Sequence, residues 1–202
     1  MVKLNKIYTR TGDDGTSGLV DGSRAIKSGV RLTAIGEVDE ANCAVGLAIA
    51  ELAALTGLPD LASLPDLASL PDLGRIQNEL FDLGADLATP FGTDFEAHAL
   101  RIVAPQVERI EREIDAMNAD LAPLASFILP SGSRAIASVH LARAIVRRAE
   151  RAAVALAAAE QVNLHALAFL NRLSDHLFVL ARVVAARDGG EVLWQPGATR
   201  GD

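Results

Sequence analysis

The chain has 202 residues, of which 50% are hydrophobic, and it carries a net charge of −7. This size supports one domain with a sizeable core, the negative charge disfavours general binding of nucleic acid, and no apolar run approaches the roughly 18–20 residues that a membrane span needs. The single cysteine, Cys43, excludes an internal disulfide and a multi-cysteine metal site. Because the start of the chain also lacks an apolar secretory segment, we predict a single domain over residues 1–202 in a reducing cytoplasm.

Residues 1–31 are rich in Gly, Thr, Ser and Asp, and we predict that they form extended chain and turns. They carry a net charge of +3 in an otherwise acidic protein. The stretch from Thr9 to Gly18 combines flexible glycines, hydroxyl groups and backbone amides, which can wrap a phosphate group. It matches neither the Walker loop nor the dinucleotide-binding fingerprint, and an ordinary polar N-terminal arm would have the same composition.

Five long helices are predicted after this segment from hydrophobic residues at three- and four-residue spacing and from Gly and Pro breaks. Their predicted bounds are residues 36–55, 73–87, 98–118, 134–159 and 164–187. Residues 57–72 contain LPDLAS twice, and each proline breaks helical hydrogen bonding, so we predict an expanded loop there. The strand signal is weak throughout. The predicted fold class is all-α, a five-helix bundle with an extended glycine-rich N-terminal segment.

The first helix carries a polar group beside small residues. Asp39, Asn42 and Gly46 lie within about 60° of one another around its axis. Such a group indicates close contact with a ligand or with another subunit, although acidic residues are also common in the first turn of any helix.

Basic residues concentrate in the fourth helix, where residues 134–151 carry a net charge of +4. At about 100° per residue, one face presents guanidinium groups with one carboxylate among them: Arg143, Arg147, Glu150 and Arg151. The opposite side is predicted to be an apolar seam of Val139, Leu141, Ala142, Val146 and Ala149. Neighbouring like charges destabilise a helix, and a polyanion relieves that cost because guanidinium groups match phosphate oxygens. Spacing alone equally allows a solvated face whose arginines pair with acidic neighbours.

The sequence contains no other recognised catalytic or metal-binding motif. The four histidines, His98, His140, His165 and His176, do not have metal-ligand spacing, so no protein metal site is predicted. No nucleophile elbow is present. We interpret His140 and His176 as helix-surface residues or as core residues with satisfied hydrogen bonds.

Six motifs in the same order resemble the PduO-type corrinoid adenosyltransferases: IYTRTGDDGTSG, GSRAIKSGVRLTAIGEVDEANCAVG, SFILPSGS, HLARAIVRRAER, FLNRLSDHLFVLAR and EVLWQPG. The resemblance implies a five-helix bundle that forms homotrimers, with ATP and a corrinoid bound at subunit interfaces. It implies transfer of the 5′-deoxyadenosyl group of ATP to Co(I), with release of triphosphate and with Mg²⁺ present. A flavin-type reductase and an adenosylcobalamin-dependent enzyme are the partners that such chemistry suggests.

The resemblance also implies roles for single residues. The N-terminal ATP-binding set is Thr9, Arg10, Thr11, Gly12, Ser17 and Lys27. The ATP contacts from the bundle are Arg147, Glu150 and Asn171, flanked by Arg148 and Arg151. Asp39 and Arg143 resemble the pair that bridges two subunits and shapes the active site. Phe127 resembles the aromatic residue that crowds the lower face of the corrin, and we predict that it makes Co(II) easier to reduce by excluding an axial ligand.

Three departures from the family pattern stand out. Ser131 occupies the position of a second glycine, which a serine can fill where φ is negative. Asp14 replaces a basic residue common in the family, and the LPDLAS expansion is unusual. The alternative interpretation is a carrier that binds ATP and corrinoid without catalysis.

Overall fold

The computed structural model describes residues 7–56 and 69–201, and within them it contains a short hairpin followed by five long helices. The hairpin pairs β1 (Thr16–Gly18) with β2 (Arg24–Ile26) in antiparallel register. The helices are α1 (Val30–Thr56), α2 (Ser69–Leu87), α3 (Ala104–Asn118), α4 (Arg134–Ala159) and α5 (Leu164–Ala185). The predicted all-α five-helix bundle is confirmed. The prediction of extended chain and turns before α1 missed the hairpin.

The interface between α1 and α4 forms the centre of the bundle. Alanines recur every seven residues on both helices and are buried there: Ala34, Ala41, Ala48, Ala135, Ala142 and Ala149. Small side chains at this period lie on one helical face and allow two helices to approach closely. Arg134 on α4 pairs with Glu51 on α1 at 2.7 Å, and Arg31 pairs with Glu160 at the other end of the two helices. The two helices are therefore antiparallel, and the C-terminal half of α4 lies beside the N-terminal half of α1.

The predicted helix bounds differ from the structure at five ends, one of them, the end of α1, by a single residue. The bounds of α4 are as predicted, and its N-cap Ser133 accepts a hydrogen bond from the backbone N–H of Ile136. α1 begins at Val30, six residues before the predicted start at Gly36, because the backbone N–H of Thr33 already donates to the carbonyl of Gly29.

The start of α2 corrects part of the predicted loop. α2 begins at Ser69, so residues 69–72 are helical. A proline within the first turn removes an N–H that has no intrahelical partner, and Pro71 therefore does not prevent the helix. Residues 57–68, which hold most of the LPDLAS tandem, lie outside the described residues.

The start of α3 is also corrected. The chain between the short 3-10 turn Glu96–His98 and Ala104 is extended rather than helical. Asp86 determines this path, because its carboxylate accepts hydrogen bonds from the backbone N–H of Ile102 at 2.9 Å and from Arg101 at 2.7 Å. At the end of the bundle, α5 stops at Ala185 instead of residue 187, where the N–H of Gly190 caps the carbonyl of Ala185.

Two histidines on α4 and α5 belong to the core. His140 is 3% exposed and His176 is 1% exposed. His176 Nε2 lies 3.2 Å from a Glu113 oxygen, whereas the Nδ1 atoms of both histidines have no hydrogen-bond partner in the described part of the chain. The prediction that the two histidines could lie in the core is confirmed, but the prediction that their hydrogen bonds are satisfied is wrong for both Nδ1 atoms. Among the described residues, no helix is long and apolar enough to cross a membrane.

Candidate active site

The N-terminal loop is closed by its own polar side chains. Lys27 Nζ donates to the carbonyl of Gly12 at 2.7 Å, and the hydroxyl groups of Thr9 and Thr11 share a hydrogen bond of 2.9 Å. A Cβ at Gly12 would lie 3.1 Å from the carbonyl oxygen of Thr16, so this position has little room for a side chain. Arg10 has a φ of +63°, the only positive φ of a non-glycine residue in the described ranges. A conformation that L-residues rarely adopt is thus held at the centre of the predicted ATP-binding motif.

The hairpin positions this loop beside the bundle. Ser17 lies in β1 and pairs with Ala25 in β2, and the backbone N–H of Val20 donates to the carbonyl of Ala88 at the end of α2. The predicted N-terminal set thus forms one continuous loop. The side chains of Arg10 and Lys27 are both exposed to solvent.

The basic residues of α4 divide into two groups. Arg148 forms ion pairs with Glu37 and Glu40 on α1, so its charge is compensated within the chain. The side chains of Arg143 and Arg147 have no carboxylate partner in the part of the chain that the structure describes. Arg151 follows on the same side and donates to the carbonyl of Arg147 at 3.0 Å. One member of the predicted apolar seam is misplaced, because Leu141 is 51% exposed.

Arg143 lies in a half-buried aromatic environment. Its guanidinium carbon is 5.9 Å from the ring centroid of Phe178, and His140 contacts the other side of that ring at 6.4 Å between centroids. Burial, followed by the charge of Arg147, lowers the pKa of Arg143 from its usual value. Burial and the charge of Arg143 likewise lower the pKa of His140. Burial is the larger cause of both shifts, and the neighbouring arginine charges add to it; an anion placed beside these groups would favour their charged forms.

Glu150 and Asn171 connect α4 to α5. Asn171 Nδ2 donates to Glu150 Oε1 at 2.8 Å, and Asn171 Oδ1 accepts a hydrogen bond from Arg172. Both functional groups of the Asn171 amide are therefore oriented, and Glu150 Oε2 has no hydrogen-bond partner among the described residues. Glu150 and Asn171 are thus in contact, and Arg147 lies three residues before Glu150 on α4, while their role in binding ATP stays a prediction.

Phe127 lies at the opposite end of α4, on the loop before the helix. Its ring is 77% exposed and lies 6.1 Å from the ring of Trp194, at an angle of 54°. The backbone fixes this pair: the N–H of Trp194 donates to the carbonyl of Phe127 at 2.8 Å, and Ser126 Oγ donates to the carbonyl of Trp194 at 2.8 Å. The sequence motif EVLWQPG indicated this segment but gave Trp194 no role. The structure places it beside Phe127.

The turn that follows Phe127 resolves one of the departures from the family pattern. Ser131 does not have a positive φ, whereas the neighbouring Gly132 has a φ of 124°. A Cβ at Gly132 would lie 2.9 Å from Ile136 Cδ1. Only the second of the two positions therefore requires glycine, and the expectation that a serine fits at Ser131 is confirmed.

Within one chain the N-terminal loop and the arginines of α4 are not in contact through hydrogen bonds or ion pairs of the described residues. The part of the chain described by the structure contains no hydrogen bond or ion pair that joins the N-terminal loop to Arg143 or Arg147. Asp39 is exposed on α1 and does not pair with Arg143. The fold and the charges define a helical-bundle protein that presents free guanidinium groups and a glycine-rich loop to a polyanionic ligand.

The chain belongs to the cobalamin adenosyltransferase family, whose model matches residues 7–184. It is 48% identical over 201 residues to the corrinoid adenosyltransferase of Mycobacterium tuberculosis strain H37Rv, covering 98% of this chain and 97% of that protein. It is also 48% identical over 194 residues to the cobalamin adenosyltransferase of Cupriavidus metallidurans, covering 96% of each. The predictions of the family and of a transferase are confirmed.

A solved structure supports the same assignment. A variant of the PduO-type ATP:corrinoid adenosyltransferase of Lactobacillus reuteri, in complex with cobalamin and ATP, is similar to this chain with a TM-score of 0.79 and 34% identity. The similarity covers 95% of this chain and 97% of that one.

Proposed function

We propose that this chain transfers the 5′-deoxyadenosyl group of ATP to the Co(I) of a reduced corrinoid, giving the adenosylated corrinoid and triphosphate. Family membership and two relatives at 48% identity over nearly their whole length support the activity. The structural relative in complex with cobalamin and ATP supports the pair of substrates.

The observation that carries the proposal is the charge of Arg143 and Arg147. Neither has a carboxylate partner in the described chain, although Arg148 beside them has two. Arg143 is half-buried, so its charge is poorly stabilised until an anion arrives, and the exposed Arg147 lies one helical turn away on α4. The triphosphate of ATP supplies that anion, with Arg10 and Lys27 of the N-terminal loop as further cations.

The chemical step needs little from the protein beyond position and charge. Co(I) donates an electron pair to C5′, the Co–C5′ bond forms, and the C5′–O bond breaks with its electrons leaving on triphosphate. Co(I) is a strong nucleophile, so the protein need not supply Ser, Cys or Lys for attack. It must align C5′ with cobalt and stabilise the charge on the leaving group.

We assign Phe127 and Trp194 to the corrinoid. An exposed aromatic pair held by backbone hydrogen bonds presents a rigid apolar surface. Against the lower face of the corrin, such a surface excludes an axial water or base, which makes Co(II) easier to reduce. The electron itself must come from a separate donor, for which a flavin-type reductase is the candidate, and an adenosylcobalamin-dependent enzyme is the candidate recipient of the product.

The separation of the N-terminal loop from Arg143 and Arg147 supports a homotrimer with its sites between subunits. In that arrangement Asp39 of one copy pairs with Arg143 of the next. Large apolar side chains on the two central helices favour such contacts, because Leu47 on α1 is 49% exposed and Leu141 on α4 is 51% exposed.

Mg²⁺ is proposed as a companion of the nucleotide rather than as a resident metal. Among the described residues, no group of three His, Cys, Asp or Glu side chains can hold a metal ion. This fits Mg²⁺, which proteins bind through one or two carboxylates together with substrate phosphates. On the face of α4 that carries Arg143, Arg147 and Arg151, Glu150 is the residue with a carboxylate, and we propose that its Oε2 is the ligand for Mg²⁺.

The test mixes the protein with ATP, Mg²⁺ and chemically reduced cobalamin and follows both the Co(I) spectrum and triphosphate. Loss of Co(I) with equimolar triphosphate is the expected result. Binding of ATP and cobalamin without triphosphate would instead identify a carrier. The absence of an ATP-dependent thermal shift would exclude both.

A further inference from the structure

We infer that Arg24 is a positioning residue for ATP, which holds the N-terminal loop in its binding conformation without touching the nucleotide. This inference rests on the proposed function and adds a residue that the sequence motifs leave without a role. It starts from the direction of the Arg24 side chain. Arg24 lies in β2, and its guanidinium turns back over the loop that precedes β1.

The donors of Arg24 are directed to atoms of the loop. Nε donates to Thr16 Oγ1 at 2.7 Å, and Nη2 donates to the carbonyl of Thr11 at 2.5 Å. Nη2 also lies 3.5 Å from Asp14 Oδ1. One rigid, planar group thus contacts three points of a single turn in a fixed geometry that the compact ammonium group of a lysine does not reproduce.

Asp14 completes this arrangement. Its Oδ1 accepts hydrogen bonds from the backbone N–H of Thr16 at 2.9 Å and from the Thr16 hydroxyl at 2.7 Å. The hydroxyl hydrogen bond, the backbone hydrogen bond and the charge of Arg24 lower the pKa of Asp14 below its usual value. Asp14 therefore shapes the turn and balances Arg24. The acidic residue at this position, which departs from the family pattern, belongs to the loop scaffold rather than to its ligand-binding side.

The contact with Thr11 has a direct consequence for ligand binding. In a trans peptide the C=O and N–H groups point in opposite directions. Because Arg24 holds the carbonyl of Thr11 on the hairpin side, the N–H of Gly12 points away from the hairpin. That N–H has no acceptor in the described part of the chain. The N–H of Asp13, in the next peptide, donates to the carbonyl of Arg10 at 3.3 Å, so the N–H of Gly12 is the donor that Arg24 turns outward. A backbone N–H held outward in this manner can bind a phosphate oxygen.

The experiment compares Arg24→Met and Arg24→Lys with the matched surface variant Arg112→Met on α3. For each, the Kd of ATP is measured by calorimetry without corrinoid, and the KM values of ATP and cobalamin are measured separately. Both Arg24 variants should raise the Kd and KM of ATP about tenfold, the effect of losing a charge-assisted contact. The KM of cobalamin and the Tm should stay at wild-type values, and Arg112→Met should resemble wild type throughout.

Three results would overturn the inference. If both Arg24 variants bind ATP normally, the loop does not need this residue. If Arg24→Lys restores binding, positive charge alone is sufficient and the planar contact is irrelevant. If ATP and cobalamin are weakened equally, or the Tm falls, Arg24 stabilises the protein in general. An inactive wild-type protein would contradict the proposed function, but the calorimetric comparison would still decide the role of Arg24.

Discussion

Arg182 on α5 donates from Nε to Glu191 at 2.7 Å, and from Nη2 to the carbonyl of Ala122 at 2.7 Å. It is 7% exposed, so this is a buried contact between α5 and two chain segments. The segment after Ala122 carries Phe127, and the segment after Glu191 carries Trp194. Arg182 therefore joins the two chain segments that lead to the aromatic pair.

Arg182→Met should loosen the aromatic pair and leave the Glu191 carboxylate without its partner. We expect the free energy of unfolding to fall by about 1–3 kcal/mol, with reduction of bound Co(II) impaired and the Kd of ATP unchanged. Chemical denaturation and Co(II) spectroscopy measure the two effects. Arg134→Met is the control, since it removes an exposed pair with Glu51 that contributes at most about 1 kcal/mol. Equal losses in the two variants would contradict a special role for Arg182.

Arg147→Ala should lower kcat/KM at least about a hundredfold, because the departing triphosphate loses a preorganised cation. Steady-state assays with chemically reduced cobalamin measure this loss. The bundle should remain as stable as wild type, since the Arg147 side chain is exposed and has no carboxylate partner in the described structure. Near-normal kinetics would remove Arg147 from the site.

Phe127→Ala should impair the reduction of bound Co(II) far more than the binding of ATP. With Co(I) generated chemically, the same variant should recover much of its activity, because the aromatic surface acts before adenosyl transfer. Trp194→Ala should show the same pattern with a smaller loss, since Trp194 is 44% exposed and Phe127 is 77% exposed. Equal loss of ATP binding and Co(II) reduction in Phe127→Ala would refute the assignment.

Stability should decline as the pH falls below about 6.5, the ordinary pKa of histidine. The pKa of His140 is lowered in the folded protein, mainly by burial and also by Arg143. The unfolded chain therefore binds more protons than the folded chain in this range, and acid favours unfolding. The loss continues until the pH reaches the folded pKa of His140. His140→Phe should flatten the dependence of the unfolding free energy on pH, whereas a change at the exposed His98 should leave it in place.

Local sequence determined the helices. The bounds of α4 were predicted because hydrophobic period, N-cap and breaking residues all lie within a few residues of the ends that they specify. The backbone angles of one turn also decide that position 132 requires glycine and that position 131 does not. The predicted starts of α1 and α3 were wrong where a backbone hydrogen bond or the distant carboxylate of Asp86 decided the path.

Only the tertiary structure decided which arginines of α4 are free. The sequence placed Arg143 and Arg147 on one face of α4 with Arg148 beside it, and it left open whether acidic residues neutralise any of the three. The antiparallel packing of α4 on α1 brings Glu37 and Glu40, more than a hundred positions away, to Arg148, and within residues 7–56 and 69–201 it brings no carboxylate to the other two. Helical periodicity is a short-range property of the backbone, but ion pairing depends on the register of two packed helices, which the core alanines set.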